Sequence, residues 1–252
     1  MIRIDNCDNT VCYIKTKGGN SKVEAHVSVD NSDSNGVKGF ELNDEYYYQL
    51  VPRKGKERDV LFVSGESGSG KSYFCKNYIL EYKKLFPKNP LYLISYLDDD
   101  ETLDSIPGLQ RLEVFTPEFM SEIDDISIDE FKDALVIFDD VDSIPEKKTK
   151  IKLYGLLNKF LRLGRHSNTT ILFAGHEVMA GNETKTILNE SSHIVYFPIT
   201  IGDGKLERLL KVYLGLGKDQ IQRIRDIKDS RSICIIKGYP KVIVSEHKMF
   251  HF

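Results

Sequence analysis

A glycine-rich loop between an apolar run and a helical pattern constrains the fold of this chain more than any other feature. It matches the pattern G-x-x-x-x-G-K-S/T and reads Gly65-Glu66-Ser67-Gly68-Ser69-Gly70-Lys71-Ser72. The apolar residues 60–63 precede it, and a helix is predicted from about Ser72. Such a strand–loop–helix unit binds phosphate, because glycines let successive N–H groups point at phosphate oxygens and the helix adds its positive end.

Two residues of this loop carry the expected chemistry. Lys71 is predicted to reach the β- and γ-phosphates of a nucleotide, and the Ser72 hydroxyl to ligate Mg²⁺. Tyr73 completes the predicted nucleotide-binding segment, residues 65–73. The alternative is a Gly/Ser loop that only closes a turn, and it does not explain Lys-Ser at the start of a helix. The motif therefore predicts ATP and Mg²⁺ as ligands.

Length and composition are those of a globular protein. The 252 residues suffice for one large α/β domain or for a core domain with a small appendage, and 40% of them are hydrophobic and 29% charged. No apolar run approaches the ~20 residues that span a bilayer, so no membrane span is expected. At a net charge of −3, contact with nucleic acid requires a local patch or an assembled ring.

The cysteines indicate a reducing compartment. Their positions are Cys7, Cys12, Cys75 and Cys234. This spacing contains no CxxC pair and suggests neither a zinc site nor a disulfide framework. The expected location is therefore cytoplasmic.

Residues 1–57 are predicted to form a small β-rich segment in front of the core domain, residues 58–252. The strand candidates are residues 11–14, 22–29 and 46–51. The tyrosines at 46–48 could stack on bases or on a partner, but packing within a sheet is favoured. The charged residues 52–58 mark the expected boundary.

From residue 60 onwards, strand and helix patterns alternate, which indicates a parallel sheet flanked by helices. The predicted strands are residues 60–64, 91–96, 134–138, 169–174 and 193–197. The acidic residues 98–101 could hold a metal ion, but a solvated loop is the favoured interpretation. A β-hairpin of residues 232–236 and 241–244 is expected to close the chain.

The strand of residues 134–138 ends in two carboxylates, Asp139 and Asp140. Because unpartnered buried charge is costly, this pair requires an explanation. In a phosphate-loop protein the explanation is the Walker B element: Asp139 organises Mg²⁺ together with Ser72, and Asp140 polarises the attacking water. The alternative is a strand that simply ends in a turn. One predicted strand lies between the phosphate loop and the acids, and this order favours the Walker B interpretation.

The next helix is predicted to begin at Ser143, which has capping-box spacing to Glu146, and to end near Leu163. Its first turns contain four lysines, Lys147, Lys148, Lys150 and Lys152. A solvated face is the default interpretation of these lysines, and an anionic partner is the alternative.

The order of these motifs resembles the FtsK–HerA superfamily of P-loop ATPases, whose fold is of the RecA-like ASCE class. The resemblance rests on the phosphate loop, the paired acids and residues 164–176, Gly-Arg-His-Ser-Asn-Thr-Thr-Ile-Leu-Phe-Ala-Gly-His. Within the superfamily, the chain is most similar to genome-packaging ATPases of large DNA viruses, including poxvirus and giant-virus members. The similarity covers residues 58–200, and giant-virus relatives are similar through residues 239–243.

The resemblance implies two further site residues. Arg165 matches the arginine that acts on the neighbouring subunit's nucleotide, and His176 matches the polar residue that senses the γ-phosphate. At the position of His176, Gln is common in the superfamily, and at the position of Asp140, Glu is common. Arg162 is an alternative trans-acting arginine, and Arg165 could instead be a cation that satisfies helix C-terminal carbonyls.

The resemblance also implies a function. It predicts an ATPase motor that moves double-stranded DNA into a viral capsid, works as a homo-oligomeric ring and contacts a capsid or portal protein. The expected location is the host cytoplasm, a virus factory or the virion. Two rivals stay open: a nucleoside or small-molecule kinase, in which residues 206–211 could imitate a lid, and a non-motor nucleotide switch or scaffold.

Overall fold

The computed structural model describes residues 2–19, 21–30, 37–54 and 58–252, so part of the predicted junction at residues 52–58 lies outside the described residues. The strands are β1 (Ile2–Ile4), β2 (Thr10–Thr16), β3 (Val23–Val29), β4 (Gly39–Glu41), β5 (Tyr46–Leu50), β6 (Val60–Ser64), β7 (Leu91–Ser95), β8 (Leu109–Arg111), β9 (Leu135–Asp139), β10 (Thr170–Gly175), β11 (His193–Tyr196), β12 (Ile233–Ile236), β13 (Val242–Val244) and β14 (Lys248–His251). The α-helices are α1 (Lys71–Leu85), α2 (Pro117–Glu122), α3 (Lys147–Leu163), α4 (Asn182–Glu190), α5 (Asp203–Arg208) and α6 (Lys218–Arg225).

The chain forms two compact units. The first unit comprises Met1–Lys56 and Ser192–Phe252, and the second unit comprises Glu57–Ser191. The predicted division between residues 57 and 58 stays a prediction.

The second unit contains a parallel sheet with the strand order β6-β10-β9-β7-β8. Every residue of β6, β9 and β10 is buried, as is typical of parallel strands covered on both faces. Helices α1 and α4 pack against this sheet, and α3 packs against α4. The predicted α/β class is confirmed, and the strand order places β10 between β6 and β9.

Helix α1 connects the phosphate loop to the core of the second unit. It begins at Lys71, directly after Gly70, whose φ of 106° disfavours any residue with a side chain. The Tyr78 hydroxyl donates to Asp59 Oδ2 at 3.1 Å, and the Tyr82 hydroxyl donates to the Asp133 carbonyl at 3.2 Å. These bonds hold the helix against the sheet that carries the site.

Helix α3 begins at Lys147, so the predicted start at Ser143 is wrong. Pro145 disfavours helical geometry in the residue before it, and Ile144 is indeed extended. The Glu146 side chain caps the helix instead, accepting from the N–H groups of Lys148 at 3.1 Å and Thr149 at 2.6 Å. Because α3 begins only at Lys147, residues 140–146 form a connection at the sheet edge, and several of these residues are polar.

The first unit contains only antiparallel strand pairs among its described residues. One group has the order β1-β3-β2-β5, and the other has the order β4-β14-β13-β12-β11. The small N-terminal sheet and the terminal hairpin, β12 and β13, are confirmed. The prediction missed β14, which pairs with β4 from the other end of the chain. Tyr48 is buried within this unit.

Candidate active site

The phosphate loop joins β6 to α1 at the carboxyl edge of the parallel sheet. Gly68 and Gly70 both have positive φ angles, of 76° and 106°, which glycine adopts without strain. Lys71 is buried, and its ammonium group donates to the carbonyls of Gly65 at 2.8 Å and Glu66 at 3.3 Å. The lysine thus lies folded over the loop, where arriving phosphate oxygens can replace the carbonyls as acceptors. Tyr73, in the first turn of α1, is exposed.

Asp139 is the last residue of β9 and is 3% exposed. Burial, and then the charges of Asp140 and Asp100, raise the pKa of its carboxyl group to about 7, while the Lys71 ammonium opposes them. The positive charge near Asp139 therefore does not fully compensate the negative charge of its carboxylate form. A cation bound beside it would supply that charge.

Asp140 follows with a left-handed φ of 50°, a conformation that Asp adopts more readily than most residues. Its Oδ1 lies 3.0 Å from Nε2 of His176, the residue directly after β10. Its N–H donates to the Ala174 carbonyl at 3.2 Å, which ties the end of β9 to β10. Asp140, which the sequence predicts to polarise water, and His176, for which the resemblance implies γ-phosphate sensing, are thus neighbours at one sheet edge.

Asp142 supports this pair and was not predicted as a site residue. Its Oδ2 accepts from the backbone N–H of His176 at 2.6 Å, and its carbonyl accepts from the Lys150 ammonium at 3.0 Å. The only sequence signal was a third acid two positions after Asp140, in a segment that the helix prediction had absorbed. Lys150 therefore contributes to the site edge rather than to a purely solvated face.

The residues at this edge fit a Mg²⁺ ion. The Ser72 hydroxyl and the Asp139 carboxylate offer the hard oxygen ligands that Mg²⁺ prefers, and the buried Asp139 gains from a nearby cation. Asp140, Asp142 and His176 also bring one ligand atom each to within 4.8 Å of one another. Because imidazole favours transition metals, we expect Mg²⁺ at Ser72 and Asp139.

Arg165 lies at the opposite edge of the same sheet. Helix α3 leaves the carboxyl end of β9 and ends at Leu163, and the chain then re-enters the sheet at Thr170. At ~3.3 Å per residue, the length of β10 separates the two edges by roughly 17 Å. Arg165 and Arg162 are both exposed there. One subunit thus brings Lys71, Ser72, the paired acids and His176 together, but not either arginine.

Another arginine meets the last carbonyls of α3. Arg58 donates through Nη1 to the Phe160 carbonyl at 2.6 Å and through Nη2 to the Leu161 carbonyl. These two carbonyls therefore have a partner other than Arg165.

Comparison with known proteins adds a viral relative. Protein V3 of Sputnik virophage, described as uncharacterized, is 41% identical over 218 residues, which cover 82% of this chain and 86% of V3. No protein-family model matches the chain. Among the described residues, no helix combines the length and apolar character needed to cross a membrane.

Solved structures share the fold. The genome packaging NTPase B204 from Sulfolobus turreted icosahedral virus 2, in complex with AMP, has a TM-score of 0.53 at 16% identity, covering 75% of this chain and 96% of that chain. The cytoplasmic domain of the type VII secretion ATPase EccC from Thermomonospora curvata has a TM-score of 0.54 at 12% identity, covering 87% of this chain and 30% of that chain. The chain therefore belongs to the family of the virophage protein V3, and it shares the fold of these ATPases.

Proposed function

We propose that this protein is an ATP-hydrolysing motor that translocates double-stranded DNA, and that its task is the packaging of a viral genome into a capsid. The observation that carries the proposal is the meeting of Lys71, Asp139, Asp140 and His176 at one sheet edge. A nucleotide switch needs the first two of these residues. The 3.0 Å contact between Asp140 and His176 adds groups that can act on water and on the γ-phosphate.

Each residue has a separate role in the proposed reaction. Lys71 exchanges its bonds to the loop carbonyls for bonds to the phosphates and offsets charge that develops on the γ-phosphate. Asp140 orients the attacking water and accepts its proton, and His176 holds Asp140 in place. Ser72 and Asp139 would hold Mg²⁺, which would supply positive charge to the phosphates. Asp142 keeps His176 at its position through the backbone.

The position of Arg165 supports a ring. An arginine at the far edge of the sheet does not reach the nucleotide of its own subunit, but an exposed one can be presented to a neighbouring copy. An arginine supplied in trans is worth ~10³-fold or more in turnover. We therefore assign Arg165 to the adjacent subunit's site, with Arg162 as the alternative in the preceding helical turn.

The viral relative and the packaging NTPase B204 support genome packaging as the task. On this proposal, the protein works in the host cytoplasm, in a virus factory or on the virion, and contacts a capsid or portal protein. Because the net charge is −3, the assembled ring must present its cations locally to hold DNA.

The test is steady-state ATP hydrolysis with and without double-stranded DNA, over a series of protein concentrations. We expect DNA to stimulate turnover and the rate per subunit to rise with concentration, because each site is completed by a neighbour. A hydrolysis rate per subunit that changes neither with added DNA nor with protein concentration would contradict a ring translocase. Single-stranded DNA, RNA and an unfolded protein serve as competing polymers that identify the load.

The same assay separates the two rivals. A kinase would consume ATP only when an acceptor is added, and a nucleotide switch would keep its function when Asp140 is changed to Ala. A motor should lose activity with either Asp140→Ala or Lys71→Ala.

A further inference from the structure

The loop after β7 places an aspartate against the serine of the phosphate loop. The Ser72 hydroxyl donates to Asp100 Oδ2 at 3.1 Å rather than to Asp139. A serine hydroxyl has one hydrogen and two lone pairs, so a hydroxyl that donates to an acceptor on one side can still offer a lone pair to a cation on the other. The direction in which that lone pair points depends on where the acceptor is.

We propose that Asp100 is a positioning residue of the magnesium site, because it takes the Ser72 hydrogen and so directs the hydroxyl lone pair towards the metal. This inference rests on the proposed function, in which Ser72 ligates Mg²⁺. It assigns a role to one residue of the acidic run that the sequence favoured as a solvated loop.

The carboxylate of Asp100 is held by backbone groups. Its Oδ1 accepts from the N–H groups of Thr102 and Leu103, both at 2.8 Å. Its own N–H donates to Asp104 Oδ2 at 2.7 Å, and Arg111 bonds both oxygens of Asp104, at 2.8 and 2.9 Å. One oxygen of Asp100 is thereby fixed, which leaves the other directed at Ser72. This pre-organisation distinguishes it from a mobile surface acid.

The other acids nearby do not share this position. Asp98 and Asp99 are exposed, whereas Asp100 is half-buried. The charge of Asp100 is also among the causes that raise the pKa of Asp139, so the two carboxyl groups lie close together. Asp100 thus contacts Ser72 and places its charge near Asp139, the two residues that are expected to hold Mg²⁺. Outer partners of this kind orient metal ligands, and their loss costs roughly 10–100-fold in metal affinity.

The substitution Asp100→Asn separates this role from loop structure. Asn keeps an oxygen that can accept from Thr102 and Leu103, so the loop retains its turn. Its amide replaces Oδ2 with a donor, which would compete with the metal for the Ser72 lone pair. The matched control is Asp99→Asn, the same chemical change at an exposed neighbour.

The experiment measures the affinity of a fluorescent ATP analogue as a function of Mg²⁺, and again in EDTA. For Asp100→Asn we expect the Mg²⁺ concentration for half-maximal tightening to rise roughly 10–100-fold, with unchanged affinity in EDTA. Asp99→Asn should match the wild type in both conditions. In a Ser72→Ala background, Asp100→Asn should have no further effect, because the hydroxyl that it positions is gone.

Three results would overturn the inference: a wild-type Mg²⁺ dependence in Asp100→Asn, an equal loss of affinity in EDTA, or an undiminished effect in the Ser72→Ala background. These three results would not contradict the proposed function, because they concern only the role of Asp100. A wild-type protein whose nucleotide affinity does not respond to Mg²⁺ would instead contradict the proposed function, and the inference with it.

Discussion

At the scale of single residues, Asp139 is a buried acid whose ionised form opposes stability. Its carboxyl group is buried at the end of β9, near Asp140 and Asp100, and only the Lys71 ammonium counters the resulting rise of its pKa. The ordinary explanation for an acid in such a place is a structural ion pair. That would lower the pKa, whereas here it is raised, as is common where a protein prepares a cation site.

The raised pKa of Asp139 predicts a specific dependence of stability on pH. The pKa rises from 3.8 in the reference state to about 7 in the folded protein, so between these values the folded state binds more protons than the unfolded state. The free energy of unfolding contributed by Asp139 therefore falls as pH rises through this window and is constant above it. Relative to the wild type, Asp139→Asn should gain up to about 4 kcal/mol between about pH 4 and pH 8.

Urea denaturation of the metal-free protein at several pH values measures this difference. Asp99→Asn, which changes an exposed acid, should keep the wild-type pH profile. A constant difference between Asp139→Asn and the wild type across the window would show that Asp139 titrates as an ordinary acid.

At the scale of elements, the site depends on β10 lying between β6 and β9. The phosphate loop follows β6, the paired acids follow β9, and His176 follows β10, so the parallel register brings all three ends to one edge. The Gly65 N–H donates to the Gly175 carbonyl at 3.1 Å, which joins the phosphate loop directly to the end of β10. The space around Gly175 is consequently tight.

At position 175, an added side chain would crowd two neighbouring side chains. A Cβ there would lie 2.9 Å from Phe173 Cε1 and 3.1 Å from Asp142 Oδ2. We expect Gly175→Ala to destabilise the protein by ~1–3 kcal/mol and to lower ATP turnover by displacing Asp142, which holds His176. Urea denaturation and steady-state hydrolysis measure the two effects.

Gly155→Ala provides the matched control. Gly155 lies inside α3, where an added Cβ meets nothing within 4 Å, so this change should stabilise the helix by up to ~1 kcal/mol and leave turnover unchanged. Equal stability effects of the two substitutions would contradict the steric argument.

At the scale of the whole molecule, Arg165 is separated from the other proposed site residues, so on the proposed function an isolated subunit would be incomplete. Parallel sheets place the two ends of each strand at opposite edges, and α3 carries the chain from one edge to the other. On the proposed function, hydrolysis in one subunit would depend on contact with the next. Turnover would then be a property of the proposed assembly.

Mixed assemblies test this dependence. Arg165→Ala should reduce turnover by ~10³-fold, and Lys71→Ala should abolish it in the subunit that carries it. Mixing the two variants should partly restore turnover, because a Lys71→Ala subunit still offers Arg165 to an Arg165→Ala neighbour. Hydrolysis in verified mixed rings is the measurement, and no rescue there would count against a trans-acting Arg165. Arg162→Ala serves as the comparison: a larger loss with this variant would transfer the role to Arg162.

The sequence by itself determined the fold class, and it predicted the chemistry of the phosphate loop and the paired acids. Their signals are local, since a few glycines, a Lys-Ser pair and a buried strand that ends in acids each constrain the backbone and the chemistry of one short segment. The start of α3 shows the limit of such local signals. Capping-box spacing predicted Ser143, but the geometry that Pro145 imposes on Ile144 moved the start to Lys147.

Only the tertiary structure decided which side chains meet. The contact of Asp100 with Ser72, the support of His176 by Asp142 and the pairing of β14 with β4 join segments that are distant in sequence. Strand order and loop packing set these contacts, and both follow from the burial of whole faces rather than from any short pattern. The acidic residues 98–101 were therefore predicted to form a solvated loop, whereas the fold places one of them, Asp100, beside the phosphate loop.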